Sequence, residues 1–150
     1  MQGGRGRQAV AARANILVAG GTSTGKTTLT NALLAELAER VYSIERIAML
    51  AAGARRILDA LNHYNVAIRV GDGTYGWREE SPFDAILVTA GAPQVPKTLI
   101  DQLTVGGRLV IPVGSRHSQA LLKVTRLSKD PEDLEQTDLG GCRFVDLIGE

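Results

Sequence analysis

Residues 20–28 combine glycines, hydroxyl side chains and one lysine in a pattern that could bind phosphate. They match G-x-x-x-x-G-K-[ST] at every fixed position, and an apolar run precedes them. Glycines let successive N–H groups turn toward an anion, and a helix start adds its positive dipole end. The stretch therefore predicts an anion site for phosphate, sulfate or the phosphates of ATP or GTP, made by Gly20, Gly21, Thr22, Ser23, Thr24, Gly25, Lys26, Thr27 and Thr28. A glycine-rich turn with a solvated lysine is the alternative.

The chemistry expected of this loop is binding rather than turnover. Its lysine can reach the outer phosphates and the Thr27 hydroxyl can ligate Mg²⁺, but hydrolysis also needs an acid at the end of a neighbouring strand. The strand predicted at 85–90 ends in neutral residues, and Asp84 lies at its opposite end. Glu45, ending another predicted strand, is the one carboxylate expected near the correct edge. We therefore assign no catalytic residue and predict little or no hydrolysis.

Composition favours one soluble domain. The 150 residues are 44% hydrophobic and carry a net charge of +1, which gives no bulk field toward nucleic acid or a membrane. No apolar stretch approaches the roughly 20 residues that cross a bilayer. The single Cys142 rules out an internal disulfide, and His63 and His117 lack companions for a metal site. A cytoplasmic location is expected, and the oligomeric state is left open.

The elements that must position these residues alternate between strands and helices. Apolar runs predict strands at 15–19, 41–45, 66–70, 83–90 and 108–113, followed by helix-free strands at 120–127 and 143–148. Helical spacing predicts a helix after the glycine-rich loop, with its leucines on one side, and others at 47–62 and 95–103. The polar segment 128–140 is predicted to be a loop. This order predicts a three-layer, doubly wound α/β sheet, mostly parallel, with an antiparallel hairpin at one edge.

Two family resemblances divide the chain. Residues from about 8 to 35 resemble the P-loop segment of conjugal-transfer and type IV secretion ATPases. Residues from about 35 to 150 resemble protein-L-isoaspartate O-methyltransferase through VYSIER (41–46), GDGTYGW (71–77), FDAILVTA (83–90) and GGRLVIPVG (106–114). The second resemblance implies a Rossmann-like sheet with strand order 3-2-1-4-5-7-6. Together they imply an engineered chimera in which an ATPase unit replaces the family's S-adenosylmethionine loop.

The functional expectation follows from what each resemblance lacks. The methyltransferase's N-terminal portion, with its catalytic serine or threonine, has no counterpart here. Glu45 matches the family's ribose-binding acid and Asp72 its adenine-side residue, although a strand-end carboxylate and an Asx turn would explain them equally simply. The leading hypothesis is a nucleotide- or anion-binding protein, with S-adenosylmethionine disfavoured. A methyltransferase remnant that binds S-adenosylmethionine, and a chimera without a ligand, are the alternatives.

Overall fold

The computed structural model describes residues 14–20, 26–145 and 147. Their elements, in chain order, are β1 (Asn15–Gly20), α1 (Lys26–Leu37), β2 (Arg40–Glu45), α2 (Ala48–Ala60), β3 (Val66–Val70), β4 (Phe83–Thr89), α3 (Lys97–Ile100), β5 (Leu103–Gly114), β6 (Gln119–Arg126) and β7 (Leu134–Cys142). Two short 3-10 turns, Gly73–Tyr75 and Arg78–Glu80, lie between β3 and β4. The strands form one seven-stranded sheet in the order β3-β2-β1-β4-β5-β6-β7.

The first five strands run parallel, and β6 and β7 complete the sheet as antiparallel hairpins. This confirms the predicted Rossmann-like sheet, mostly parallel, with a hairpin edge. Alternate residues of each strand point to opposite faces. Ile16 and Val18 therefore pack under α1 and α2, while Leu17 and Ala19 join the core that includes α3.

The predicted order 3-2-1-4-5-7-6 is wrong at the hairpin edge. A short turn after Gly114 brings β6 directly beside β5, and the next hairpin places β7 outside β6. Strand β7 occupies most of the segment predicted to be a loop. Its side chains are almost all exposed, so backbone pairing with β6 defines it without an apolar pattern. Residues 143–145 and 147, predicted to be strand, lie outside the strands.

Helix α1 packs differently from its leucine pattern. Leu29 and Leu33 are 64% and 60% exposed, whereas Asn31 and Ala35 face the sheet and are buried. The Asn31 Nδ2 donates to the Ser43 Oγ on β2 over 2.8 Å. Small and hydrogen-bonded side chains therefore let this helix approach the sheet closely.

No helix in the described ranges has the length and apolar character that spanning a membrane requires.

Candidate functional site

The carboxyl ends of the parallel strands form a crevice between β1 and β4. The chain leaves β1 through α1 toward β2, but leaves β4 through α3 toward β5, and both strands pair directly. Ligands of doubly wound sheets bind outside such a switch point. Glu45 ends β2, Asp72 follows β3 and Thr89 ends β4. The fold therefore brings the two predicted carboxylates to one edge.

Glu45 is a buried carboxylate at this edge, only 5% exposed. Its Oε1 accepts a hydrogen bond from the Ile47 N–H over 3.1 Å. A buried carboxylate is costly unless hydrogen bonds satisfy its oxygens. Within the part of the chain that the structure describes, the Ile47 N–H is its one hydrogen-bond donor. The carboxylate therefore retains acceptor capacity for a ligand donor.

Asp72 organises the turn that follows β3. Its Oδ1 accepts hydrogen bonds from the Thr74 N–H at 2.8 Å and from the Thr74 Oγ1 at 2.7 Å. This is an Asx-type cap on the turn Gly73–Tyr75. The cap fixes the Asp72 carboxylate at the start of this turn, just beyond the end of β3.

The loop after this turn is held by Trp77 and Arg69. The Trp77 ring packs edge-on against Tyr42, with 5.4 Å between ring centroids, and the Arg69 guanidinium lies 4.5 Å above it. Arg69 also donates to the Gly76 carbonyl and approaches the Glu79 carboxylate. The backbone of its own turn, and then Arg69, lowers the pKa of Glu79. Trp77 therefore packs against the core beside Tyr42.

The glycine-rich stretch is only partly within the described residues. Gly20 is buried at the end of β1 and pairs with Thr89, and Thr28 is half-buried in α1. Residues 21–25, on which most of the predicted anion site depends, lie outside the described residues. Lys26 and Thr27 open α1, and their side chains are likewise undescribed. The P-loop after β1 is therefore a prediction that the geometry does not test.

Residues 143–145 and 147 lie at the same edge, on the β4 side. Gly91, just beyond β4, donates its N–H to the Val145 carbonyl at 2.7 Å and accepts from the Leu147 N–H at 2.6 Å. Leu147 also lines a cleft of about 320 Å³ together with Gly91 and Ser115. This segment therefore forms a second wall of the crevice.

An adjoining cleft of about 470 Å³ is lined by Arg116, Arg143, Phe144 and Val145. The lining of this cleft thus combines two basic residues with two apolar ones. No cluster of three or more His, Cys, Asp or Glu side chains with metal-binding geometry occurs among the described residues.

Comparison with models of known protein families identifies the family of this chain. The family model described as protein-L-isoaspartate(D-aspartate) O-methyltransferase matches residues 9–150. The chain belongs to this family.

Relatives and solved structures agree with the family. The protein-L-isoaspartate O-methyltransferase of Syntrophus aciditrophicus is 71% identical over 130 residues, covering 87% of this chain and 58% of the relative. That of Desulfosudis oleivorans is 55% identical over 119 residues, covering 79% and 52%. A solved protein-L-isoaspartate O-methyltransferase has a TM-score of 0.79 at 28% identity, covering 94% of this chain and 44% of that one.

A second solved structure is a Plasmodium falciparum protein, described as a putative member of the family in complex with S-adenosyl-L-homocysteine. Its TM-score is 0.73 at 23% identity, and the match covers 97% of this chain and 70% of that one. This likeness supports the fold. The chain spans just over half the length of the relatives named above.

The family assignment overturns the nucleotide-binding hypothesis. The match begins at residue 9 and so runs through the segment read as an ATPase unit, and none of these comparisons shows an ATPase segment or a chimera. The Walker A, P-loop and ATP-binding interpretation was wrong, as was the choice of ATP or GTP over S-adenosylmethionine. A nucleotide or inorganic anion was also the wrong kind of partner. The prediction relied on the short motif at residues 20–27, whereas the similarity to the methyltransferase family extends over residues 9–150.

Two buried glutamines, Gln102 and Gln119, were not predicted as functional residues. Gln119 lies opposite Gly114 at the carboxyl edge, whereas Gln102 precedes β5 at the amino edge of the sheet. Gln102 bonds to the backbone of the loop between β3 and β4, and Gln119 bonds to the backbone of Ser115 and Phe144. The one sequence feature linked to these glutamines is a glycine in contact with each of them: Gly76 packs against Gln102, and Gly91 packs against Gln119.

Proposed function

We propose that this chain binds S-adenosylmethionine at the crevice between β1 and β4 and transfers its methyl group to the carboxylate of an isoaspartyl residue in a protein. The main support is the Glu45 carboxylate, which is buried at the end of β2 and can accept further hydrogen bonds besides that from the Ile47 N–H. Family membership supports the reaction class.

The residues at the edge fit the adenosine part of this cofactor. Glu45 would accept hydrogen bonds from the ribose hydroxyls, and Asp72, after the next strand, would lie on the adenine side. The Thr89 Oγ1, at the end of β4, is buried and has no hydrogen-bond partner among the described residues. A buried hydroxyl without a hydrogen-bond partner needs an explanation, and a hydrogen bond to a polar group of the bound cofactor would supply one.

The glycine-rich stretch takes a new role in this proposal. Residues 20–25 connect β1 to α1, where the family carries its cofactor loop. A glycine turn that leads into a helix start suits a carboxylate as well as a phosphate. We therefore assign the backbone N–H groups of this stretch, with Lys26, to the amino-acid end of the cofactor.

The residues of this chain would orient and desolvate the reactants. When bound, S-adenosylmethionine supplies an activated methyl group on its sulfonium sulfur. The residues of this edge would hold that methyl group beside an isoaspartyl carboxylate oxygen, so that a methyl ester could form with S-adenosylhomocysteine as the leaving group. Arg116 and Arg143 favour the approach of an ionised carboxylate. The apolar Val145 and Leu147 limit water at the wall they form.

Isothermal titration with S-adenosylhomocysteine tests the cofactor site. Glu45→Gln keeps the acceptor for the Ile47 N–H but removes the charge. Losing charge-assisted hydrogen bonds costs about 1.5–3 kcal/mol, so the Kd should rise about 10- to 150-fold. Glu39→Gln, the same change at the opposite end of β2 on an exposed side chain, is the matched control and should leave the Kd unchanged.

The outcomes separate the proposal from its alternatives. Saturable binding to the original chain, weakened only in Glu45→Gln, supports it. No binding at millimolar S-adenosylhomocysteine refutes the cofactor site. Equal affinity in both variants refutes the role of Glu45 alone. Transfer of a labelled methyl group to an isoaspartyl peptide, against the matching aspartyl peptide, then tests the reaction.

We also propose that residues 1–150 form a single domain. A single urea transition, coincident by circular dichroism and tryptophan fluorescence, is the expected result; two transitions would contradict it.

A further inference from the structure

Helix α1 turns one polar residue toward the sheet while two of its leucines face solvent. Asn31 is 1% exposed, whereas Leu29 and Leu33 are 64% and 60% exposed. The proposed reaction assigns Asn31 no role. Burying a leucine contributes more to stability than burying an amide, because the amide loses its hydrogen bonds to water. The orientation of this helix therefore depends on what Asn31 contacts.

Asn31 contacts a second buried polar residue, Ser43 on β2. Its Nδ2 donates to the Ser43 Oγ over 2.8 Å, and Ser43 is also 1% exposed. The Asn31 Oδ1 is buried and has no hydrogen-bond partner in the part of the chain that the structure describes. A buried acceptor without a partner costs free energy. The benefit of this residue is therefore the direction of its one hydrogen bond, which specifies how α1 lies on β2.

The contact lies close to the proposed cofactor site. Ser43 and Glu45 are two residues apart on β2, so their side chains project from the same face of the sheet. Val41, two residues earlier, packs with Ala35 of α1 on that face. At roughly 3.3 Å per residue, Ser43 lies about 7 Å before Glu45 along the strand. The Asn31 contact is therefore beside the strand end that carries the Glu45 carboxylate.

Helix α1 also begins at this edge. It follows β1 and the glycine-rich stretch, and it returns to the opposite edge, where the Glu39 N–H donates to the Ala14 carbonyl at 3.0 Å. At about 1.5 Å per residue, Asn31 lies about 8 Å from the helix start. The Asn31–Ser43 hydrogen bond thus joins the helix that follows the glycine-rich stretch to the strand that ends in the buried carboxylate.

We propose that Asn31 is a positioning residue for cofactor binding. It sets the start of α1, and with it the glycine-rich stretch assigned to the amino-acid end of the cofactor, against Glu45, which is assigned to the ribose. Asn31 does not need to touch the cofactor, because it acts through the helix and the strand that it joins. This inference rests on the proposed function.

Asn65 supplies a matched control at the other end of α1. Its Nδ2 donates to the Ala35 and Ala38 carbonyls at 2.9 and 3.1 Å. Asn65 precedes β3, at the amino edge of the sheet, so its contacts hold the end of α1 that lies away from Glu45. Asn65→Ala therefore loosens the same helix without removing the contact near the crevice.

The test measures the Kd for S-adenosylhomocysteine by calorimetry and stability by urea unfolding. Asn31→Ala should raise the Kd about 5- to 30-fold, an effect equal to the loss of one or two hydrogen bonds to the ligand. Asn65→Ala should lower stability as well but change the Kd less than about twofold. Asn31→Ala combined with Ser43→Ala leaves neither partner unpaired, so it should be at least as stable as Asn31→Ala and still show the raised Kd. This double variant replaces Asn31→Ala if the single variant does not fold.

Hydrogen exchange supplies a readout that needs no ligand. Asn31→Ala should lower amide protection at residues 30–33 of α1 more than at residues 35–38. Asn65→Ala should show the opposite pattern, because it releases the carbonyl groups at the far end of the helix.

A Kd that rises equally in Asn31→Ala and Asn65→Ala, or in neither, would overturn the positioning role and leave only a structural contact. If the original chain binds no S-adenosylhomocysteine, the proposed function fails. The exchange pattern would then still decide whether Asn31 fixes the start of α1, and protection lost equally along the helix would overturn that as well.

Discussion

Gly76→Ala adds one methyl group to the loop between β3 and β4, where Gly76 packs against the Gln102 amide. Gly76 has φ 63° and ψ −151°, a region that is nearly exclusive to glycine. Forcing alanine into it costs about 1–3 kcal/mol. The new methyl group would also displace the Gln102 amide, and the two hydrogen bonds lost with it are worth about 1 kcal/mol each. The expected loss of unfolding free energy is about 3–5 kcal/mol.

Gly106→Ala is the matched control for this change. Gly106 also has a positive φ, 84°, but a Cβ there would meet no atom within 4 Å. Only backbone strain applies, so the expected loss is about 1–3 kcal/mol. Urea unfolding of both variants, followed by tryptophan fluorescence, gives the difference directly.

A double-mutant cycle isolates the clash. With Gln102→Ala in the background, the methyl group at position 76 has no amide to displace, so only strain remains. The combined loss should fall short of the sum of the single losses by about 2 kcal/mol. Equal losses in Gly76→Ala and Gly106→Ala, or strict additivity with Gln102→Ala, would refute the role given to this glutamine.

Three further changes test the packing around the site. Arg126→Ala should lower the unfolding free energy by about 2–4 kcal/mol, because its guanidinium bonds carbonyl oxygens at the start of β5 and after β6; an effect below 0.5 kcal/mol in urea unfolding would contradict this. Ser43→Ala should cost about 1–3 kcal/mol by removing the acceptor of the buried Asn31 amide, and a neutral result by calorimetry would argue against that pair. Burial, and then the charge of Glu80, raises the pKa of Tyr42 above 10.0. The folded state therefore keeps a proton that the unfolded state loses, so stability should fall as the pH rises above 10; Tyr42→Phe should lessen that fall, and an unchanged pH profile would contradict the assignment.

The parallel part of the sheet was predictable from its apolar runs. Strand β1 alternates Ile16 and Val18 with Leu17 and Ala19, and both faces are buried, as a central parallel strand requires. The hairpin edge was not predictable in the same way. Strand β7 has almost no buried side chains, so its pairing with β6 leaves no hydrophobic signature.

The site was predictable in part. Glu45 and Asp72 were assigned from strand ends and from the family resemblance, and the fold brings both to the crevice. The function was misjudged because a short glycine-lysine motif was given more weight than matches at four separated places. The glutamines escaped notice because their importance arises from contacts between segments far apart in sequence. Gln119 meets Phe144 and Gly91, and no local pattern encodes that meeting.

The central claim is that Glu45 and Asp72 hold a cofactor at the carboxyl edge of the sheet. Each carboxylate accepts a hydrogen bond from a backbone N–H, that of Ile47 or of Thr74, so these two amides report directly on its environment. The most direct measurement is an amide NMR titration of the chain with S-adenosylhomocysteine. If both carboxylates bind the ligand, both reporter amides should show saturable shifts with one common Kd. Reporter amides that stay unmoved at millimolar S-adenosylhomocysteine would contradict it.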